Sequence, residues 1–190
     1  MPKTIKDYIL MGKFKNDQLH IIREGLEYGL NVEVYAKTEF DSNQMHEIYH
    51  GLREGLDVRS YAKPEFNHLQ MASIRKGLEN GLDVKAYAKS EFSAKQMDEI
   101  RIGIEKGLEV SSYAKNFYSY KQMRQLRLGI EDKVDISVYN NPKFNSFQMQ
   151  QIRIGLQQKL DVSTYAKLEN SHRTMCGIRL SLLGIGKARR

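Results

Sequence analysis

Apolar residues recur along this chain with a fixed spacing of 26 residues. Each repeat opens on an aromatic residue, has Met (Leu19 in the first repeat) at its sixth position and Ile or Leu at its ninth, and carries Tyr near its end. The opening residues are Phe14, Phe40, Phe66, Phe92, Tyr118 and Phe144, with no insertion between them. Periods of roughly 20–50 residues are typical of arrays whose units pack on their neighbours. The pattern therefore predicts one local structure that is copied six times.

The first half of each repeat predicts an amphipathic helix. Its second position is Asp, Asn or Ser in most repeats and its fifth is Gln, which is the spacing of a capping box. The sixth, ninth and thirteenth positions fall on one helical face. A glycine at the sixteenth position is expected to close the helix in a left-handed turn, and it is present as Gly29, Gly55, Gly81 and Gly107. Lys133 and Lys159 replace it in the last two repeats, where we expect a looser or different closure.

The second half of each repeat predicts a short helix of about two turns, too short to be stable alone in water. Asp caps it in most repeats, and its Val and Tyr lie three residues apart, as in Val58 and Tyr61. A further glycine lies inside the long helix at the twelfth position, where glycine costs roughly 1 kcal/mol relative to alanine. We interpret this glycine, such as Gly51, as a point of close backbone approach between neighbouring repeats.

These features predict an all-α protein, an α-solenoid of two-helix repeats with one long and one short helix each. We expect a single domain over residues 1–190. Residues 1–13 resemble a half-repeat and would form the N-terminal cap, residues 14–169 hold the six repeats, and residues 170–190 form a capping helix with a basic tail.

Composition narrows the possible partners and compartment. The net charge of +7 and the pI near 9.3 are compatible with an acidic partner or nucleic acid. The only cysteine, Cys176, fits a reducing compartment. There is no apolar run long enough to span a bilayer and no apolar leader segment, so we expect a cytoplasmic protein that does not contact membranes.

The sequence predicts neither an enzyme nor a metal or cofactor site. His46–His50 reads HEIYH and matches the H-E-x-x-H zinc motif. Other repeats place unrelated residues at these positions, and catalytic zinc needs three protein ligands. We therefore interpret the match as one variant of the repeat. No nucleophile, base and acid occur together elsewhere in a pattern that indicates catalysis.

Function is expected where the repeats differ from one another. Residues 14–39 and 40–65 each carry a net charge of −2, whereas residues 170–190 carry +5. The tenth position is Arg in six of the seven copies, including Arg101, Arg127, Arg153 and Arg179. These arginines either pack on the core and bond a neighbouring repeat, or form a ladder that meets phosphates or acidic side chains. The basic tail residues Lys187, Arg189 and Arg190 would add to such a surface.

The eleventh position changes from polar to apolar along the chain. It is Glu24, His50 and Lys76 at first, and then Ile102, Leu128, Ile154 and Leu180. We call the last four residues the apolar ladder. It is either buried as the superhelix tightens or is a contact surface for a partner.

The repeat unit F-x-x-x-Q-M-x-x-I-R-x-G-L-E-x-G-L-D-V-x-x-Y-A-K resembles a short helical repeat of proteins from bacterial phages and conjugative elements. Some mobile-element proteins of this kind are anti-CRISPRs, which stop a type II RNA-guided nuclease from engaging target DNA. The resemblance implies a non-enzymatic binding protein that inhibits a host defence nuclease, contacting the nuclease or its RNA complex through the apolar ladder and the arginines. Direct nucleic-acid binding and a protein–protein scaffold are the alternatives.

Overall fold

The computed structural model describes residues 3–184, which form eight α-helices and no β-strand. The helices are α1 (Ile5–Leu10), α2 (Asn16–Glu27), α3 (Ser42–Arg53), α4 (His68–Glu79), α5 (Ala94–Glu105), α6 (Tyr120–Glu131), α7 (Ser146–Gln157) and α8 (His172–Leu182). This confirms the all-α prediction. The chain divides within α5 into two compact units, Met1–Arg101 and Ile102–Arg190, which we call the N-terminal and C-terminal units. That all residues form a single domain stays a prediction.

The long helices α3 to α7 begin with the capping box that the sequence predicts. In α3, the backbone N–H of Gln44 donates to the Asp41 carboxylate and the Gln44 side-chain oxygen accepts from the Asp41 backbone N–H, both at 2.8 Å. The same exchange opens α6 at Ser119 and α7 at Asn145. A cap of this kind is worth about 1 kcal/mol, and it fixes where the helix of each repeat starts.

Helix ends follow the predicted left-handed turn, including those without glycine. Gly55 has a φ of 73°, and the next backbone N–H, that of Leu56, donates to the Gly51 carbonyl at 2.9 Å. Lys133 adopts a φ of 56° and closes α6 with the same bond pattern. The expectation of a different closure at Lys133 and Lys159 is therefore wrong, because the turn's hydrogen bonds outweigh a left-handed penalty of about 1 kcal/mol.

The second element is shorter than the predicted two-turn helix. It is a 3₁₀ helix of three residues, found at Val32–Val34, Val58–Ser60, Val84–Ala86, Ile136–Val138 and Val162–Thr164. In repeat 2, Asp57 caps it, and the Tyr61 N–H bonds to the Val58 carbonyl at 2.9 Å. Tyr61 then leaves helical geometry with a φ of −134°, and its side chain is fully buried. The element ends there because this tyrosine is held against the long helix of its own repeat.

That tyrosine explains the glycine inside each long helix. A Cβ added at Gly51 would lie 1.9 Å from the Tyr61 hydroxyl oxygen and 2.9 Å from a Val58 methyl carbon. The Tyr61 hydroxyl donates to the Glu47 carbonyl at 3.1 Å. The interpretation of this glycine as a contact between backbones of neighbouring repeats is therefore wrong, because the group that needs the space is a side chain of the same repeat.

Within each unit, consecutive long helices are joined by the buried glutamine of the capping box. The Gln44 amide donates to the Phe66 carbonyl of the next repeat at 2.7 Å, and Gln122 does the same to the Phe144 carbonyl at 2.7 Å. Methionine and isoleucine at the sixth and ninth positions are fully buried beside this contact, as in Met45, Ile48, Met149 and Ile152. One polar side chain therefore caps its own helix and also fixes the helix that follows.

Candidate functional site

The apolar ladder lies in the C-terminal unit and is half-buried. Ile102, Leu128, Ile154 and Leu180 are each neither buried nor fully exposed. Leu128 borders a surface groove between α6 and α7. The part of each side chain that stays accessible is available to a partner, and contact through this ladder stays a prediction.

The predicted arginines form hydrogen bonds inside the protein. Arg153 donates to the Gln125 side-chain oxygen at 3.1 Å and to the Asp132 carboxylate at 2.5 Å, both in the preceding repeat. Arg179 repeats this pattern one repeat later, with Gln151 at 3.1 Å and Gln158 at 2.9 Å. Arg75 of the N-terminal unit bonds Glu47 at 2.9 Å. These contacts agree with the structural alternative left open by the sequence, in which each arginine connects two repeats.

Arg101 and Arg127 make shorter-range contacts. Arg101 pairs with Asp98 one turn away at 3.4 Å, and Arg127, which is buried, pairs with Glu131. Burial alone would raise the pKa of Glu131, but hydrogen bonds from Lys106 and Arg127 outweigh it and lower that pKa. Phosphate binding by these arginines stays a prediction that would require breaking such pairs. Lys187, Arg189 and Arg190 lie outside the described residues.

The two histidines of HEIYH are close together but lack a third ligand. The Nε2 atoms of His46 and His50 are 3.1 Å apart. Partial burial lowers the pKa of His50, and the neighbouring His46 lowers it further. Within residues 3–184 no three His, Cys, Asp or Glu side chains are arranged to hold a metal ion.

A surface groove lies between α6 and α7 of the C-terminal unit. It has a volume of about 480 Å³. From α6 it is lined by Tyr120, Lys121, Arg124 and Leu128, and from α7 chiefly by Phe147 and Gln150. These side chains come together because they occupy the third, fourth, seventh and eleventh positions of adjacent repeats, which share one face of neighbouring helices.

The charged side chains that line the groove are all basic. No Asp or Glu of the described chain lines the groove. The sequences of α7 and α8 contain no carboxylate, and α6 has only Glu131 at its last residue. By contrast, α2 carries three acidic residues, among them Asp17 in its first turn. Lys121 and Arg124 are exposed and basic, so the groove attracts anionic groups.

An aromatic row follows the same edge. Phe147 is 54% exposed, whereas phenylalanine is among the residue types that are most often buried. Its ring centroid lies 5.3 Å from that of His172 at the start of α8. Lys121 lies 5.9 Å from the ring centroid of Tyr120 on α6. The first turns of α6 and α8 therefore each combine a ring with a cation, and the first turn of α7 adds the Phe147 ring.

Sequence reasoning missed the groove because it concentrated on the tenth and eleventh positions. The available signal was the variation at the third, fourth and seventh positions, where the later repeats place Tyr120, Lys121, Arg124 and Phe147. Of the candidate residues named from the sequence, the structure brings Leu128 and Arg153 into this groove.

Comparison with known protein families, with curated proteins and with solved structures finds no match for this chain. None of the helices in residues 3–184 has the length and apolarity needed to cross a bilayer.

Proposed function

We propose that this chain is a non-enzymatic binding protein, an α-solenoid of stacked 26-residue repeats that presents a partner-binding face on α6, α7 and α8. The observation that carries the proposal is that some positions of the repeat make structural contacts while others stay accessible. Glutamine, glycine, tyrosine and arginine at recurring positions are occupied in contacts within and between repeats. The positions left accessible differ between repeats, and in α6–α8 they include apolar, aromatic and basic side chains and only one carboxylate, Glu131.

The solenoid architecture is supported by contacts that recur at one repeat's spacing inside each unit. The glutamine-to-carbonyl bond joins residues 22 apart in both units. The contact from arginine to the eighth position of the preceding repeat spans 28 residues in both units as well. Such nearest-neighbour contacts are what stabilises a repeat array.

We propose a host defence nuclease, or its RNA complex, as the partner, and a cytoplasmic bacterial setting in which a mobile element encodes this chain. The support for the nuclease is the likeness of the repeat unit to those of phage and conjugative elements. A basic face with an apolar ladder also suits an acidic surface or the phosphates of bound RNA.

A cleavage assay tests this function. Adding the purified chain to a type II RNA-guided nuclease should inhibit cleavage of target DNA, and the L128E/I154E variant should inhibit far less. The matched control is K76E, which places glutamate at the same repeat position in α4, on an exposed residue of the N-terminal unit. Thermal unfolding midpoints establish that each variant is folded. Cleavage unaffected by saturating wild-type chain, or full inhibition by folded L128E/I154E, would contradict the proposal.

A further inference from the structure

We propose that the groove between α6 and α7 binds single-stranded nucleic acid, with Tyr120 and Phe147 stacking on bases and Lys121 and Arg124 contacting phosphates. This inference goes beyond the contact with a nuclease, because it assigns the chain its own nucleic-acid site. It rests on three observations, which are the shape of the groove, its charge, and its two rings, the half-buried Tyr120 and the exposed Phe147.

The shape selects a small, extended ligand. A volume of about 480 Å³ lies within the range of roughly 300–1,000 Å³ that small-ligand sites occupy. That space accommodates a nucleotide but not a duplex. Its two walls run from Tyr120 to Leu128 on α6 and from Ser146 to Arg153 on α7, so a strand can enter between the two helices.

The charge selects an anion. Arg153 at the edge of the groove is held by Asp132 and Gln125, and the Asp132 carboxylate largely neutralises its charge. Lys121 and Arg124 are exposed on α6 and can reach a ligand without breaking such pairs. Since no Asp or Glu of the described chain lines the groove, these two cations supply its positive potential.

The rings favour a nucleic acid with unpaired bases over an acidic peptide or a duplex. A carboxylate-rich peptide is satisfied by cations alone and gains little from exposed rings. Single-stranded nucleic acid offers both phosphates and base faces, and the combination of a basic groove with stacking aromatic side chains is how such strands are bound without sequence preference. Glutamine side chains, including Gln150, add amide groups that can hydrogen-bond to base edges.

The site continues beyond the groove toward α8. His172 packs against Phe147, and the exposed Arg173 follows it in the chain. A strand lying across α6 and α7 would therefore meet a further ring and a further cation on α8.

Fluorescence anisotropy with short labelled oligonucleotides tests the inference. We expect single-stranded RNA and DNA to bind and the matching duplex to bind more weakly. The logarithm of the affinity should fall with the logarithm of salt concentration with a slope of about −0.7 per phosphate contacted, so a slope of about −1.4 for the two cations. Unlabelled single strand should compete with the probe, and polyglutamate of the same charge should compete much less.

Two pairs of variants separate stacking from charge. F147A should weaken binding about 5-fold or more, as expected for the loss of one stacked base. Its control is L69A, which truncates an equally exposed apolar residue at the same repeat position of α4. K121E/R124E should remove most of the salt dependence and weaken binding about 10-fold or more. Its control is K63E/K85E, which makes the same change in net charge on exposed residues of the N-terminal unit.

Three results would overturn the inference: no binding of single strands at low salt, equal binding of duplex and single strand, or equal effects of F147A and L69A. Efficient competition by polyglutamate would also overturn it, since an anion without bases would then suffice. Nuclease inhibition that persists while oligonucleotide binding is absent would refute the groove site and leave the proposed inhibitory function intact. Oligonucleotide binding without inhibition of the nuclease would support the groove site and refute the proposed inhibitory function.

Discussion

Replacing the glycine inside a long helix with alanine should destabilise this protein, although the same change usually stabilises a helix. At an unhindered helical position, Gly→Ala gains about 0.5–1 kcal/mol because glycine loses more backbone entropy on folding. At Gly51 the new methyl group would lie 1.9 Å from the Tyr61 hydroxyl oxygen and 2.9 Å from a Val58 methyl carbon. Neither neighbour can move freely, since Tyr61 is fully buried and Val58 lies on the adjoining 3₁₀ helix.

The expected magnitude follows from these two contributions. Overpacking of a close-packed interior typically costs about 1–3 kcal/mol, and two simultaneous contacts put Gly51 at the upper end of that range. Subtracting the helix gain leaves a net loss for G51A of about 2 kcal/mol, which corresponds to a drop in the thermal midpoint of about 4–8 °C. Urea denaturation followed by circular dichroism measures the change in unfolding free energy directly.

A double-mutant cycle tests whether the Tyr61 hydroxyl is the cause. Y61F alone loses the bond to the Glu47 carbonyl, at a cost of about 1 kcal/mol. In G51A/Y61F the nearest ring atom, Cζ, would lie 3.1 Å from the methyl group, a contact that a shift of a few tenths of an ångström relieves. The contact with the Val58 methyl carbon at 2.9 Å remains, so the double variant should lose about 1–2 kcal/mol rather than the additive value of about 3 kcal/mol.

Gly177 provides the internal control. It lies within α8, where an added Cβ meets nothing within 4 Å. G177A should therefore stabilise the protein by about 0.5–1 kcal/mol. The reasoning is wrong if G51A is as stable as the wild type, or if the effects of G51A and Y61F are additive.

Three further predictions concern other parts of the repeat. K133G should stabilise the protein by about 1 kcal/mol in urea denaturation, because Lys133 has a φ of 56° and glycine removes the left-handed penalty; an unchanged midpoint would contradict this. Gln122→Ala should lower the free energy of unfolding by about 2–3 kcal/mol, because it removes a helix cap and two hydrogen bonds to carbonyls beyond α6. Lys121→Ala, at an exposed position, should change it by less than about 0.5 kcal/mol. Burial raises the pKa of Tyr35, Tyr61 and Tyr139 in the folded state. Their neutral forms therefore contribute stability to the fold. This stability is fully present below the pKa of about 10 that tyrosine has in the unfolded chain, and it is lost as the pH rises above that value. Ultraviolet titration should therefore show these phenols ionising together with alkaline unfolding, and smooth titration near pH 10 with the helices intact would contradict the assignment.

The parts of the fold that were predictable from the sequence depend on short-range chemistry. The capping box joins Asp41 to Gln44 over three residues, and its bonds need no partner from elsewhere in the chain. The helix end at Gly55 likewise depends on backbone conformation within one turn. Such features can be recognised from residue type and spacing alone.

What the sequence did not reveal depends on where side chains meet in three dimensions. Gln44 was identified as a cap, but its second role, the bond to the Phe66 carbonyl, spans 22 residues and needs two packed helices. The reason for Gly51 was likewise hidden, because the residue that fills its space is ten positions away on a different element. The groove was missed because the spacing of Tyr120 and Phe147 becomes meaningful only when α6 and α7 lie side by side.

Several residues of the repeat have a structural role that a substitution would disrupt, and this restricts where the protein can acquire a binding site. A change at Gln122 removes a cap and an inter-repeat bond together, and a change at Gly129 meets the buried Tyr139. The cost of altering these positions therefore exceeds that of a typical surface residue, which stays within about 0.5 kcal/mol. Lys121 and Arg124 lie beside these positions on the same helix, yet they are exposed and can change without disturbing the repeat. A site for an anionic ligand can therefore form on α6–α8 while the contacts that hold the repeats together stay the same.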